Sequence, residues 1–397
     1  MKNITTDEAL TRGVAEILPS KKSLEELMNK KKIRLYLGID PTGDQLTLGH
    51  SVVLRKLQHF AELGHEVILL IGGGTVKIGD PTGKDSTRPE LTNEVIEENF
   101  KDWQAQASKV LDFSKIKIMN NADWLDKLTY VDLIKIMAKT TVQQLMERDM
   151  FQERIKAGRP VHAHEIIYPL MQGYDSVVMD VDLEIGGNDQ TFNMMVGRNL
   201  QKTYNNREKW VLTTPIINGT DGRKMSKSYH NFVALNENPN DMYGKLMRIN
   251  DEMIINYFTV LTDVPMTEIR EMEKAMANDE NPMTFKKKLA LTITTMYHDE
   301  VAAKKAQAHF EKTIQQDNLP EDMPELDVPA EIKTIGEVLK ICLPNESNSN
   351  LRRLVKQGGV ELLPIKEKPT DFFDEVELDK VEVIRAGKRK FFKIKKG

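Results

Sequence analysis

The stretch Arg34–His50, RLYLGIDPTGDQLTLGH, constrains the fold more than any other part of the chain. Leu35–Ile39 is a short apolar run holding one tyrosine and one glycine, the pattern of a buried β-strand. Asp40-Pro41-Thr42-Gly43-Asp44 then breaks regular structure with turn residues. From Gly49 the period changes. Val53, Leu57, Phe60 and Ala61 fall at i, i+4, i+7 and i+8, one face of a helix that Gly64 ends. Val67–Ile71 is a second apolar strand, so Arg34–Ile71 reads as one βαβ unit of a parallel sheet. Gly49 and His50 then sit at a helix N-terminus on the carboxyl edge of that sheet, where amide N–H groups and the helix dipole favour phosphate.

Around this unit the pattern extends an α/β fold, a doubly wound parallel sheet of Rossmann-like type, over residues 1–235. Thr6–Lys31 reads as helical, with Leu24, Leu27 and Met28 at helical spacing. Gly72-Gly73-Gly74 and Lys77–Lys84 form a stretch too glycine-rich for a helix. Thr92–Leu111 and Tyr130–Ile155 read as long helices on either side of a strand at Ile116–Met119. They make a helical insertion at about 92–165 of the kind that supplies an oligomer face. Asp182–Ile185 and Trp210–Thr213 read as further strands, with a helix over Gln190–Gln201 between them. Glu237-Asn238-Pro239-Asn240 marks a boundary, and helical patterns fill 236–316, Lys286–His298 among them. Residues 317–331, with Pro320, Pro324 and Pro329, have linker composition, and 332–397 form a small α+β domain.

Tyr168, Gln172 and Asp175 fall at i, i+4 and i+7, on one helix face, beside an apolar face of Ile167, Leu170, Met171 and Tyr174. Pro169 fits that helix if it lies in the first turn. Lys224–Ser228, KMSKS, follows Asp221-Gly222-Arg223, whose turn chemistry puts it on an exposed loop. Taken singly, TLGH reads as a surface turn, KMSKS as a solvated loop and the polar face as part of an amphipathic helix. In this order on a parallel α/β pattern, TLGH and KMSKS resemble the two signatures of class I aminoacyl-tRNA synthetases. The run HAHEIIYPLMQGYDSVVMDVDLEIGGNDQ is similar to tyrosyl-tRNA synthetases, and that resemblance extends from about Leu35 to Ser228 and again over the C-terminal module.

The resemblance implies ligation of L-tyrosine to tRNA(Tyr) through a tyrosyl-adenylate. It gives Tyr36 and Asp175 to the phenolic hydroxyl, Tyr168, Asp80 and Gln172 to the α-ammonium, and Gln190 to the carboxylate side. Gly187 and Asp189 take the ATP ribose, and Gly38 and Asp40 line the adenylate. Gly49, Thr42 and His50 face the phosphates, while Lys84, Arg88, Lys224 and Lys227 close on pyrophosphate. Mg²⁺ is expected to arrive with ATP, keeping several waters, with no dedicated protein cage. The first signature position, normally histidine, is Thr47, for which a weaker contact to the γ-phosphate is expected. A tryptophanyl-type enzyme remains an alternative, opposed by Asp175. So do a free-standing nucleotidylyltransferase, which would explain Thr47, and a catalytically weak RNA-binding paralogue.

The formal net charge of −4 argues against a nucleic-acid protein, but its distribution argues for one. Glu331–Gly397 carries 15 Lys+Arg against 11 Asp+Glu, about +4, leaving about −8 for the remainder. Arg352, Arg353 and Lys356 cluster on a helix that Gly358-Gly359 ends, and a strand begins at Val360. Arg385–Gly397 holds seven basic residues, including Lys388, Arg389 and Lys390, no acids, and Phe391-Phe392. This module resembles an S4-type RNA-binding domain, with a basic strand suited to RNA phosphate. One cysteine, Cys342, fits a reducing cytoplasm, and no signal peptide or membrane-spanning run is evident. A cytoplasmic homodimer is expected.

Overall fold

A computed structural model describes residues 4–42, 45–82, 93–226, 229–312, 323–329, 331–344, 346–365, 367–387 and 390–396. The chain divides into two compact units, residues 1–307 and 308–397. The boundary expected at 235/236 therefore falls inside the first unit.

The first unit is built on a six-stranded sheet: β1 (Glu16–Leu18), β2 (Arg34–Ile39), β3 (Glu66–Ile71), β4 (Ile116–Asn120), β5 (Leu183–Gly187) and β6 (Trp210–Thr214). Its spatial order is β1-β6-β5-β2-β3-β4. All neighbours are parallel except β1, which runs antiparallel to β6. The chain moves outward from β2 through β3 to β4, then returns to the other side of β2 with β5 and β6. Neighbouring connections therefore diverge between β2 and β5, the crevice where ligands bind in such sheets.

The edge strand β1 corrects the reading of Thr6–Lys31 as continuous helix. α1 (Thr6–Thr11) ends early, the chain pairs with β6, and Ser20 after Pro19 caps a new helix, α2 (Lys21–Lys30), by accepting from the Ser23 N–H. The central unit holds as read: β2, then α3 (Leu48–Glu62), then β3 in parallel register with β2. After β3 the glycine-rich stretch does contain one helical turn, α4 (Thr75–Ile78). α5 (Asn93–Ala107) precedes β4, and α6 (Ala122–Leu125) follows it.

Tyr130–Ile155 is three helices rather than one: α7 (Tyr130–Met137), α8 (Val142–Met146) and α9 (Asp149–Lys156). Thr129 with Asp132, and Thr141 with Gln144, form reciprocal capping boxes that start α7 and α8, while Arg148 precedes α9 without a side-chain cap. α10 (Ala163–Met179) then packs closely on α11 (Thr191–Asn205). Pro169 lies well inside α10, not in its first turn, and costs the Glu165 carbonyl its helical partner. Five more helices complete the unit: α12 (Pro239–Leu246), α13 (Ile254–Leu261), α14 (Met266–Ala277), α15 (Pro282–Tyr297) and α16 (Glu300–Phe310), whose last residues belong to the second unit. α13 packs on α3, so these helices share the core of the sheet domain.

The second unit pairs a four-stranded sheet with α17 (Ile335–Cys342) and α18 (Asn348–Lys356). Its strands are β7 (Glu325–Val328), β8 (Val360–Pro364), β9 (Val381–Ala386) and β10 (Lys390–Lys396), in the order β7-β10-β9-β8. β7 corrects the linker reading, since the proline-rich stretch supplies a strand parallel to β10. Val328, Ile335, Leu339, Leu351, Val360 and Ile384 are in the core of this unit. No helix among the described residues is long and apolar enough to cross a membrane.

Candidate active site

The carboxyl ends of β2, β3, β4 and β5 surround a cavity of about 220 Å³. Tyr36, Gly38, Asp40, Thr42, His50, Asp80, Tyr168, Gln172, Asp175, Gly187 and Gln190 all line it, so eleven residues expected at the site meet there. Asp189, Lys224, Thr47 and Gly49 do not line it but lie at neighbouring positions described below.

At the closed end Asp175 is buried on α10, and both of its oxygens accept: Oδ2 from Asn121 Nδ2 at 3.0 Å, Oδ1 from Trp124 Nε1 at 2.8 Å. Burial pushes its pKa well above the ordinary carboxylate value, and these two donors oppose the shift. Tyr36, fully buried on β2, has its hydroxyl 3.0 Å from Ser176 Oγ. Along the wall, Gln172 Nε2 donates to Glu184 at 3.1 Å while its Oε1 accepts from Asn193 at 3.0 Å, which fixes the orientation of the amide. Asn193 also donates to Gln190 Oε1, and Gln190 Nε2 donates to Asp80 Oδ2 at 2.8 Å. The Tyr168 hydroxyl donates to Asp40 Oδ2 at 2.9 Å, and Thr75 donates to Oδ1 at 2.7 Å. Gly72 permits this approach, because a Cβ there would stand 1.9 Å from Asp40 Oδ1.

At the mouth, Thr47 is the N-cap of α3. Its N–H meets His50 Nδ1 at 3.1 Å, and its Oγ lies 2.9 Å from the same nitrogen. A backbone N–H can only donate, so Nδ1 accepts and the proton of the neutral ring sits on Nε2. The buried Thr47 hydroxyl is thus engaged with His50 inside the chain. The His50 ring also meets Trp103 edge-on, with centroids 5.8 Å apart.

The two signature segments are spatial neighbours. Leu48 N–H donates to the Val233 carbonyl at 2.9 Å, Thr47 bridges Ala234, and a Cβ on Gly49 would lie 3.6 Å from Met225 Sδ. Asn231 holds the Lys224 loop. It donates to Asp221 at 2.7 Å and accepts from the Ser226 N–H at 2.8 Å. Lys224 Nζ is 3.3 Å from Asp189 Oδ2, just past β5. Lys84, Arg88 and Lys227 lie outside the described residues. No group of His, Cys, Asp and Glu side chains among the described residues could hold a metal ion.

Sequence reasoning missed several site residues. Thr75 and Asn121 follow the carboxyl ends of β3 and β4, so the strand positions themselves were the available signal. Glu184, Asn193, Trp124 and Lys209 carried none. Arg148, which donates to Thr82 at 2.8 Å and lies over the Phe151 and Phe192 rings, was read as part of a helix.

In the second unit, Arg353 of α18 and Lys390 of β10 line one groove of about 520 Å³ with Asn350, Gln357 and Gly387. Arg352 stacks instead over Phe372 and Phe373, at 5.3 and 5.2 Å, and Lys356 is exposed on α18. Lys388 and Arg389 lie outside the described residues.

Residues 28–315 match the family model for tRNA synthetases class I (W and Y). The fold and site therefore define a class I aminoacyl-tRNA synthetase of the group that handles tryptophan and tyrosine. A tyrosine–tRNA ligase of Thermotoga maritima is 45% identical over 390 residues, covering 98% of this chain and 96% of its own. Another, of Carboxydothermus hydrogenoformans, is 44% identical over 399 residues, covering 98% and 97%. The chain belongs to the tyrosyl-tRNA synthetases. In fold it resembles a crystal structure of tyrosyl-tRNA synthetase complexed with L-tyrosine from Archaeoglobus fulgidus, with TM-score 0.61 and 22% identity, over 76% of this chain and 99% of that one.

Proposed function

We infer that this chain is a tyrosine–tRNA ligase that uses ATP to make tyrosyl-adenylate and then esterifies the 3′ end of tRNA(Tyr). The observation that carries the reading is one cavity with Tyr36 and Asp175 at its closed end and the TLGH and KMS segments side by side at its mouth. The tryptophan and non-enzymatic alternatives are not favoured.

In this reading the substrate phenol O–H donates to Asp175 while its oxygen accepts from the Tyr36 O–H. The α-ammonium meets oxygens of Tyr168, Gln172 and Asp80. The tyrosine carboxylate attacks the α-phosphorus, the bond to the β-phosphate oxygen breaks, and pyrophosphate leaves. His50 Nε2–H, the N-terminus of α3 and Lys224 stabilise charge on phosphate oxygens, and no covalent enzyme intermediate is required. A tRNA hydroxyl then attacks the acyl carbonyl and AMP leaves. Mg²⁺ would travel with the ATP phosphates; among the described residues the carboxylates are too scattered to hold an ion, and no step is assigned to it.

The second unit serves as an S4-like RNA-binding domain, with Arg353 and Lys390 in its groove. A homodimer forms through α7 and α8, where Tyr130, Val131, Ile134 and Val142 expose apolar surface at 78, 53, 46 and 67%. The reaction is placed in the cytoplasm, in keeping with a single buried Cys342. The deciding experiment is pyrophosphate exchange into ATP across the twenty amino acids. Tyrosine should dominate; faster exchange with tryptophan would overturn the reading. Light scattering on the intact chain tests the dimer, which a monomer at micromolar concentration would exclude.

A further inference from the structure

Behind Tyr36, away from the cavity, stands a buried cation that the mechanism above does not use. Lys209, just before β6, is 0% exposed and forms an ion pair with Glu184 of β5, itself 2% exposed. Its Nζ also donates to Ser176 Oγ at 2.8 Å, and that oxygen is the one 3.0 Å from the Tyr36 hydroxyl. The packing accommodates this arrangement specifically. A Cβ on Gly197 of α11 would lie 2.6 Å from Lys209 Nζ and 3.0 Å from Ser176 Oγ.

We propose that Lys209 is a positioning residue for amino-acid specificity, acting through Ser176 to make Tyr36 a hydrogen-bond donor towards the substrate phenol. The inference rests on the assignment of the cavity to tyrosine. Lys209 Nζ can only donate, so the serine proton has no acceptor there and is available to the Tyr36 oxygen 3.0 Å away. Tyr36, supplied from behind, keeps its own proton for the pocket. Burial pushes the Tyr36 pKa well above its ordinary value, with Glu184 and Asp175 adding to the shift, so that proton is retained. The phenol of tyrosine then accepts from Tyr36 and donates to Asp175, a sequence with one direction throughout. Phenylalanine leaves Tyr36 and Asp175 without partners in a buried place, which is costly. Glu184 has a second task, since it also accepts from Gln172. Reversing the relay would leave two oxygens facing each other with no proton between them.

The test is pyrophosphate exchange with tyrosine and with phenylalanine, giving the ratio of kcat/KM for the two. Ser176→Ala should lower that ratio by roughly five- to tenfold, the size of one net hydrogen bond. The double variant Lys209→Met with Glu184→Gln avoids a lone buried charge and keeps an oxygen for Gln172. It should lower the ratio at least as far. In a Tyr36→Phe background neither change should lower it further, because the relay's only outlet is gone. An unchanged ratio in Ser176→Ala overturns the proposal, as does an equal fall in the Tyr36→Phe background, which would mark a general packing effect. If the Lys209 variant does not fold, Ser176→Ala still decides. Absence of tyrosine-dependent exchange in the unaltered chain would instead defeat the functional assignment.

Discussion

Lys224 Nζ and Asp189 Oδ2 are 3.3 Å apart, joining the lysine of the KMS loop to the carboxylate expected at the ATP ribose. Both side chains are substantially solvated, and a pair of this kind contributes only about 0–1 kcal/mol. Such a pair does not hold the loop; Asn231 does, through Asp221 and Ser226. Lys224 is free in energetic terms to exchange Asp189 for phosphate oxygens as the reaction proceeds. Lys224→Ala should therefore slow adenylate formation by an amount equivalent to about 2–4 kcal/mol. Tyrosine affinity should be unaltered, the pattern of a contact made in the transition state. Pre-steady-state fluorescence separates the two, and a tyrosine dissociation constant rising in step with the rate loss would refute the assignment.

Asp175 predicts an acid limb. Burial holds its folded pKa above the ordinary carboxylate value, and its carboxylate must be ionised to accept from the substrate phenol. The value of kcat/KM for tyrosine should fall on acidification at a pH above the normal aspartate range, and Asp175→Asn should abolish that limb. The sign for stability is the opposite. A raised folded pKa means that the contribution of Asp175 is present below its unfolded pKa and lost as pH rises through the folded one. A limb that persists in Asp175→Asn would assign it to another group.

Thr47 links a departure from the signature to the structure of α3. Thr47→Val keeps the backbone N–H to His50 but removes the hydroxyl, so stability should drop by about 1 kcal/mol, the typical value of an N-cap. Thr47→His, which restores the usual residue, should not raise the exchange rate. The site is buried, and forcing a larger ring into it typically costs about 1–3 kcal/mol. A faster Thr47→His enzyme would mean that the threonine is a compromise and not a fitted cap.

Much of this site was legible because it follows from strand ends. Arg34–Ile71 announced a βαβ unit, and the residues after β2 and β5 had to face one crevice. The i, i+4, i+7 spacing put Tyr168, Gln172 and Asp175 on one wall. What stayed hidden came from packing between distant elements. Nothing near Lys209 signals that it lies under Tyr36, since that depends on β6 being placed beside β5. The edge strand β1 was obscured for the same reason: Glu16–Leu18 is too short to show a period, and its pairing partner lies almost two hundred residues away. The break before α8 within Tyr130–Ile155, by contrast, was available in the Thr141-x-x-Gln144 spacing.

Lys56 offers a test of the core. On the inner face of α3 it donates to the carbonyls of Ala9 at 2.7 Å and Arg12 at 2.6 Å. Burial, with Arg12 and Arg55 nearby, pushes its pKa down to about 7. The unfolded chain therefore binds one more proton than the folded chain from about pH 7 to about pH 10, and stability should climb with pH across that window. The slope from one group approaches about 1.4 kcal/mol per pH unit. Lys56→Met should flatten it in urea unfolding at about pH 7 and 9. Parallel curves for the two proteins would show that Lys56 keeps its charge in the core.

Separating the two units should separate the two half-reactions. β7 (Glu325–Val328) pairs with β10, so a cut at Asp327 would strip an edge strand from the second sheet. Ending the chain at Lys312 removes that sheet entire. Every described residue lining the cavity precedes this point, as do Lys224, Asp189 and α13, which packs on α3. Tyrosine-dependent pyrophosphate exchange should persist at a rate close to that of the full chain. The segment lost carries the basic cluster of residues 331–397, including Arg353 and Lys390 of the second groove. Binding through phosphate contacts weakens steeply with salt, so the full chain's affinity for tRNA should show the steeper dependence on ionic strength. Aminoacylation at limiting tRNA should fall strongly in the shortened protein. Equal aminoacylation by both forms would remove the RNA-binding role from residues 323–397 and leave that unit a part in folding or assembly.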